Sequence, residues 1–85
     1  YIHFGDFDLA GIEIFQREFY AFLRERSEFF IPEDVEERLK NGNRRLYDMQ
    51  YARYKFMDIM DERLLPLVEM IHRYGKGYEQ EGYII

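Results

Sequence analysis

Apolar positions change their spacing several times along the chain, and each change marks an element. Residues 1–5 (YIHFG) alternate weakly and are rich in aromatic and β-branched side chains, which suits a strand. From Ile12 the spacing becomes helical through Ile12, Phe15, Phe19, Phe22 and Leu23, with Glu13, Gln16, Arg17, Arg24 and Glu25 on the other side. This predicts a helix from Leu9 or Ala10 to Arg24 or Arg26, with Asp8 as its N-cap. Residues 27–31 (SEFFI) are a second strand candidate ended by Pro32, and the order strand, helix, strand implies a right-handed parallel crossover.

Further along, acidic Glu33, Asp34, Glu36 and Glu37 precede basic Arg38 and Lys40, the order that complements a helix dipole. A second helix is expected from Pro32 or Glu33, with Gly42 as its stop and only Val35 and Leu39 as a narrow buried stripe. Residues 43–54 (NRRLYDMQYARY) read as a third helix through Leu46, Met49, Ala52 and Arg53. A fourth spans 61–74, with Leu64, Leu67, Val68 and Ile71 facing inward, Pro66 tolerated in its first turn and Gly75 ending it. The tail GKGYEQEGYII is a glycine-punctuated turn followed by a possible strand at 82–85. Phe29, Phe30 and Phe56 read as packing residues. The pattern as a whole is α/β, with a short parallel sheet and about four helices.

Composition narrows the class. With 85 residues, 47% apolar and 34% charged, the chain has room for one small domain with a real core. Its apolar runs are far shorter than the ~20 residues of a membrane span, and no signal-peptide pattern is present. The absence of cysteine excludes disulfides and thiolate metal sites, and the expected location is cytoplasmic. A net charge of −5 argues against this chain alone gripping a phosphate backbone, so nucleic-acid chemistry would need metal ions or another domain. Because the chain opens at Tyr1 within a strand-like run, it is expected to be part of a longer protein.

The candidate chemistry lies where the first strand meets the first helix. Asp6 and Asp8 would project at the carboxyl end of a parallel strand, the place where open α/β sheets bind ligands. Two carboxylates so close repel unless a proton or cation intervenes, and such oxygen-rich sites hold Mg²⁺ beside phosphates. Gly11 would let the backbone pass close to a ligand. The plainer alternative is that Asp8 only caps the helix. Haloacid-dehalogenase-like phosphatases and nucleotide-sugar transferases also use Asp-x-Asp, but Leu9, Ala10 and Gly11 fit neither pattern well.

GDFDLAGIEIF resembles the Asp-x-Asp segment of Toprim domains, especially those of topoisomerase VI A subunits. It is more similar still to the C-terminal Toprim domain of the JetD family, the nuclease subunit of Wadjet plasmid-defence systems. That family tends to show Gly-Asp-x-Asp-x-x-Gly like Gly5 to Gly11, Leu-Tyr-x-x-Gln like Leu46 to Gln50, and Glu-Gln-Glu like Glu79 to Glu81, and all three occur here in order. The resemblance implies that residues 1–85 are the C-terminal part of a Rossmann-like Toprim domain. It implies Asp6 and Asp8 as catalytic Mg²⁺ (or Mn²⁺) ligands, DNA as substrate, a condensin-like motor complex as partner, and a homodimer as one assembly open to it. Glu79, Gln80 and Glu81 would support the site. The family's other catalytic acid, a glutamate on an earlier strand, has no counterpart here, so the chain alone is expected to be inactive. Tyr78 stands where a smaller apolar residue is expected.

Several residues have two readings. Glu79 and Glu81 either approach the metal or form a solvated acidic turn. His3 either joins the aspartates or packs at the sheet, and packing is the commoner fate, while His72 reads as a surface residue. Arg44, Arg45, Arg53 and Lys55, with Lys40 and Asn41, form the one basic concentration: a phosphate-contacting patch, or surface charges paired with Asp48 and Asp58. None of the eight tyrosines has an activating neighbour in sequence, so metal-activated water is the expected nucleophile rather than tyrosine. A noncatalytic acidic module that docks a partner, with the aspartates only capping a helix, is the rival from another class. A topoisomerase VI A-like strand-breaking subunit is a further alternative.

Overall fold

Two short strands and a set of helices make up residues 1–79, which the computed structural model describes. Strands β1 (Ile2–His3) and β2 (Glu28–Phe29) pair in parallel, Ile2 opposite Glu28 and His3 opposite Phe29. Both are shorter than their aromatic runs predict. Beyond His3 the chain leaves the pair, and Phe7 bonds antiparallel to Tyr78 instead. The strand expected at 82–85 lies outside the described residues.

Asp8 opens α1 (Leu9–Phe15) as predicted. The helical path continues through a π-helical segment (Gln16–Tyr20), α2 (Ala21–Leu23) and a 3-10 turn (Arg24–Arg26), reaching the expected end. The π segment widens the turn and shifts the phase of everything after it. Two expectations about this helix are corrected, the second as a result of that shift. Gln16, expected outside, is fully buried, and Phe22, expected inside, is 75% exposed. Gln16 Oε1 accepts from the backbone N–H of Met60 (2.7 Å) and Asp61 (3.3 Å), while Nε2 donates to Asp58 O (3.0 Å). One buried amide thus ties the loop before the last helix to the first.

Helix α3 (Val35–Lys40) begins later than Pro32 and buries Val35 and Leu39 as expected. Helix α4 (Arg44–Tyr54) is capped by Asn43, whose Oδ1 accepts from Leu46 N at 3.1 Å. Its inward face differs from the one expected: Met49 is 73% exposed, and the half-buried residues include Leu46, Tyr47, Gln50 and Tyr54. A tyrosine ring buries its body and keeps its hydroxyl at the edge, so here the tyrosines form the stripe that apolar counting assigned to Met49 and Ala52. Phe56 is exposed rather than packed. A 3-10 turn (Glu62–Leu64) leads into α5 (Leu65–Tyr74), with Pro66 in its first turn and a left-handed Gly75 ending it. Leu64, Leu67 and Ile71 are buried, as predicted.

The core joins Leu9, Ile12 and Phe15 of α1 to Phe7, Phe29, Val35, Leu39, Leu67 and Ile71. Full burial contributes about 1.5–3 kcal/mol for each such large apolar side chain. Gly77 then pairs antiparallel with Asn43, and Tyr78 with Phe7, so one short segment bridges the start of α4 and the strand-to-helix corner. Among the described residues no helix is long and apolar enough to cross a membrane.

Candidate functional site

The corner between β1 and α1 is shaped by one side chain's double duty. Asp8 is 4% exposed, and its Oδ1 accepts from Gly11 N at 2.6 Å, satisfying an amide that the first helical turn leaves without an intrahelical acceptor. Gly11 is required by close approach: a Cβ there would lie 2.5 Å from the Asp6 carbonyl oxygen and 3.0 Å from Asp8 Oδ1. The backbone folds back on itself within this turn, which brings Asp6 beside Asp8.

Gln50 enters the corner from α4. Its Oε1 accepts from Ala10 N at 3.1 Å, and its side chain lies close enough to the Asp8 carboxylate to favour the charged form. Four residues earlier on the same helical face, Leu46 packs against Gly77, where a Cβ would stand 3.0 Å from Leu46 Cδ2 and 3.0 Å from Asp8 Cβ. Only glycine lets the bridging segment pass this close to the acid. That segment continues to Glu79, which is exposed but near enough for its charge to act on Asp8.

Electrostatics follow from this packing. Burial raises the Asp8 carboxyl above its ordinary value, and the charges of Asp6 and Glu79 push the same way. The hydrogen bonds from Gly11 and Gln50 oppose the rise. A cation would relieve what these bonds only partly offset, because opposite charge favours the ionised carboxylate. The donor set is all oxygen, which fits a hard ion such as Mg²⁺ or Mn²⁺. Among the described residues no group of three or more His, Asp or Glu side chains forms a metal cage. An ion there would be held by Asp6 and Asp8, with the rest of its shell from water or a ligand's oxygens, the usual way Mg²⁺ sits beside phosphates.

The structure therefore brings Asp6, Asp8, Gly11 and Glu79 into one corner, while Gln80 and Glu81 lie outside the described residues. Gln50, whose contact with Asp8 depends on the packing of α4 on α1, was visible in sequence only through the Leu-Tyr-x-x-Gln spacing. His3 is turned into an aromatic cluster, its ring centroid 4.8 Å from Phe19 and 5.6 Å from Phe15, with Nδ1 3.2 Å from the Tyr1 hydroxyl. Burial lowers its pKa.

His72, expected on the surface, is half-buried: its Nδ1 lies 2.8 Å from the Tyr47 hydroxyl, and its ring meets Tyr47 and Tyr51 edge-on. Burial raises the Tyr47 hydroxyl above the ordinary phenol value, the opposite of what an activated nucleophile needs. The acidic partners expected for the basic group do not pair with it: none of Arg44, Arg45, Arg53 and Lys55 forms an ion pair among the described residues, and Asp48 and Asp58 do not either. Comparison with protein-family models, curated proteins and solved structures found no match.

Proposed function

We propose that this chain is the C-terminal part of a Rossmann-like Toprim domain, and that its Asp6–Asp8 corner serves Mg²⁺-dependent phosphodiester hydrolysis of DNA within a JetD-like plasmid-defence nuclease. The observation that supports this reading best is spatial. The three segments that resemble the family, distant in sequence, meet at Asp8 through Gly11, Gln50 and Glu79. A capping aspartate alone needs none of that convergence.

In this reading each residue has a defined task. Asp6 and Asp8 hold the cation, Gly11 fixes the backbone turn that presents them, and Gln50 orients the Asp8 carboxylate while tying α4 to the corner. Glu79 adds negative charge at the rim. When bound, the ion supplies Lewis-acid polarisation of a phosphoryl oxygen and stabilises the leaving oxygen. Water is the nucleophile in this reading: the tyrosine in closest contact with a histidine, Tyr47, has a hydroxyl that burial makes less acidic. The condensin-like motor complex would deliver DNA to the longer protein that carries this chain, and the missing acid would come from its earlier strand.

The test is cleavage of supercoiled plasmid by that longer protein with Mg²⁺ or Mn²⁺ and its motor partners, beside Asp6→Asn and Asp8→Asn. Asparagine keeps an acceptor for the Gly11 amide, so the fold is retained while the charge is lost. Nicking or linearisation that disappears in both variants supports the reading, and cleavage that survives both removes it. The burial of Asp8 and its bond to Gly11 also suit a noncatalytic docking module. That alternative predicts no cleavage with every partner present, and no Mn²⁺-induced NMR broadening at residues 5–11.

A further inference from the structure

A groove of about 640 Å³ opens beside the acidic corner, lined by Asn41, Asn43, Arg44, Arg45, Tyr78 and Glu79, among others. The volume falls within the range of ligand sites. The groove and the corner share a wall, since Gly77 lines the groove and sits against Asp8. Its lining is also basic in part, through Arg44 and Arg45. Arg44 and Arg45 begin α4, and the Lys76 ammonium is held at the end of α3 by a 2.6 Å bond to the carbonyl of Lys40. In a chain of net charge −5, two adjacent arginines thus line one groove.

No carboxylate neutralises these cations among the described residues. Neither Arg44, Arg45, Lys40 nor Lys76 forms an ion pair among the described residues, whereas Arg38, Arg63 and Arg73 all do. Arg44 donates to Tyr74 O at 3.3 Å, which uses one edge of its guanidinium and leaves further donors. A groove that shares a wall with the acidic corner and carries two guanidinium groups outside any ion pair suits a ligand with repeated anionic groups. One such group would meet a cation at the acidic corner, and the next would meet the arginines directly.

We infer that this groove seats the DNA backbone next to the reacting phosphodiester, with Arg44 and Arg45 contacting a non-reacting phosphate. The inference rests on the phosphodiesterase reading and deepens it by assigning the path of the strand. Arginine matches phosphate geometry through paired N–H donors, so the contact would set register along the backbone without reading sequence.

The experiment is a salt titration of duplex DNA binding, read by fluorescence anisotropy in EDTA so that cleavage and metal play no part. It uses the longer protein with Arg44→Gln, Arg45→Gln, Arg45→Lys and, as a distant basic control, Lys55→Gln. Each glutamine variant should weaken binding and lower the slope of log K against log salt by about 0.9, the counterion release of one phosphate contact. Arg45→Lys should keep the slope and Lys55→Gln should not change it. Competition with inorganic phosphate separates sources: displacement of DNA at low millimolar phosphate would show a free-anion site and overturn the backbone assignment. Unchanged slopes in both glutamine variants would overturn it as well, and a slope lowered in Arg45→Gln that Arg45→Lys, which keeps the charge, does not restore would reveal a structural role instead. Loss of cleavage in Asp6→Asn tests the metal reading separately, because that variant should retain the EDTA slope.

Discussion

Gln16 offers the sharpest test of how the fold is held. Its fully buried amide serves three backbone groups, Asp58 O, Met60 N and Asp61 N, across the chain from its own helix. In Gln16→Ala, the Asp61 amide loses its acceptor within a residue that is 3% exposed, an unsatisfied group costing about 1–3 kcal/mol. Met60 is 44% exposed, so water can replace its partner, and together with the Asp58 bond the remaining loss is about 1 kcal/mol. The expected total is about 2–4 kcal/mol, against about 4–13 kcal/mol for a domain of this length. It should lower the thermal midpoint by roughly 10–30 °C. Urea unfolding followed by circular dichroism measures it, with Gln16→Met as a variant that refills the volume without the bonds. If Gln16→Met were as stable as the native protein, the amide bonds would not be what fixes this loop.

Two further predictions use the same assay. Gly11→Ala should cost about 1–3 kcal/mol, because the new methyl meets the Asp6 carbonyl and forces a backbone shift; equal or greater stability, as helix propensity alone implies, would show that the turn relaxes freely. His3 has a pKa lowered by burial, so below its ordinary value of 6.5 the unfolded chain takes up the proton first. Its contribution is therefore full above pH 6.5 and is lost as pH falls through the lowered folded value. The stability difference between native protein and His3→Gln should shrink between pH 7.5 and 5, and a constant difference would place the imidazole in solvent.

The sequence was most legible where one residue type has one local job. Asp8 as a cap, the inward trio Leu64, Leu67 and Ile71, and Gly75 as a stop all follow from spacing and chain geometry. The first helix was harder because a π-helical segment changes the period in mid-course, so that Phe22 turns outward, and because Gln16, which shares the helical face of Leu9 and Ile12, is polar and hydropathy scores it as surface. On α4 the packing stripe is built from tyrosines and a glutamine, which hydropathy scores as surface. In the candidate site, Asp6, Asp8 and Gly11 were readable as neighbours. The approach of Gln50 and Glu79 is tertiary, set by the docking of α4 on α1 and by the pairing of residues 77 and 78.

That pairing has a consequence for when the site exists at all. Four backbone bonds, two between Gly77 and Asn43 and two between Tyr78 and Phe7, join this segment to the middle and to the start of the chain. Tyr78 adds a ring stacked on Phe7, yet a strap of two paired residues should release at a lower free energy than global unfolding, as small sub-global openings do. The helices would remain packed while the acidic corner lost Glu79 and the groove lost a wall. Anything that binds across both walls would in turn hold the strap closed by mass action. Order in this short segment and occupancy of the corner are thus two faces of one equilibrium.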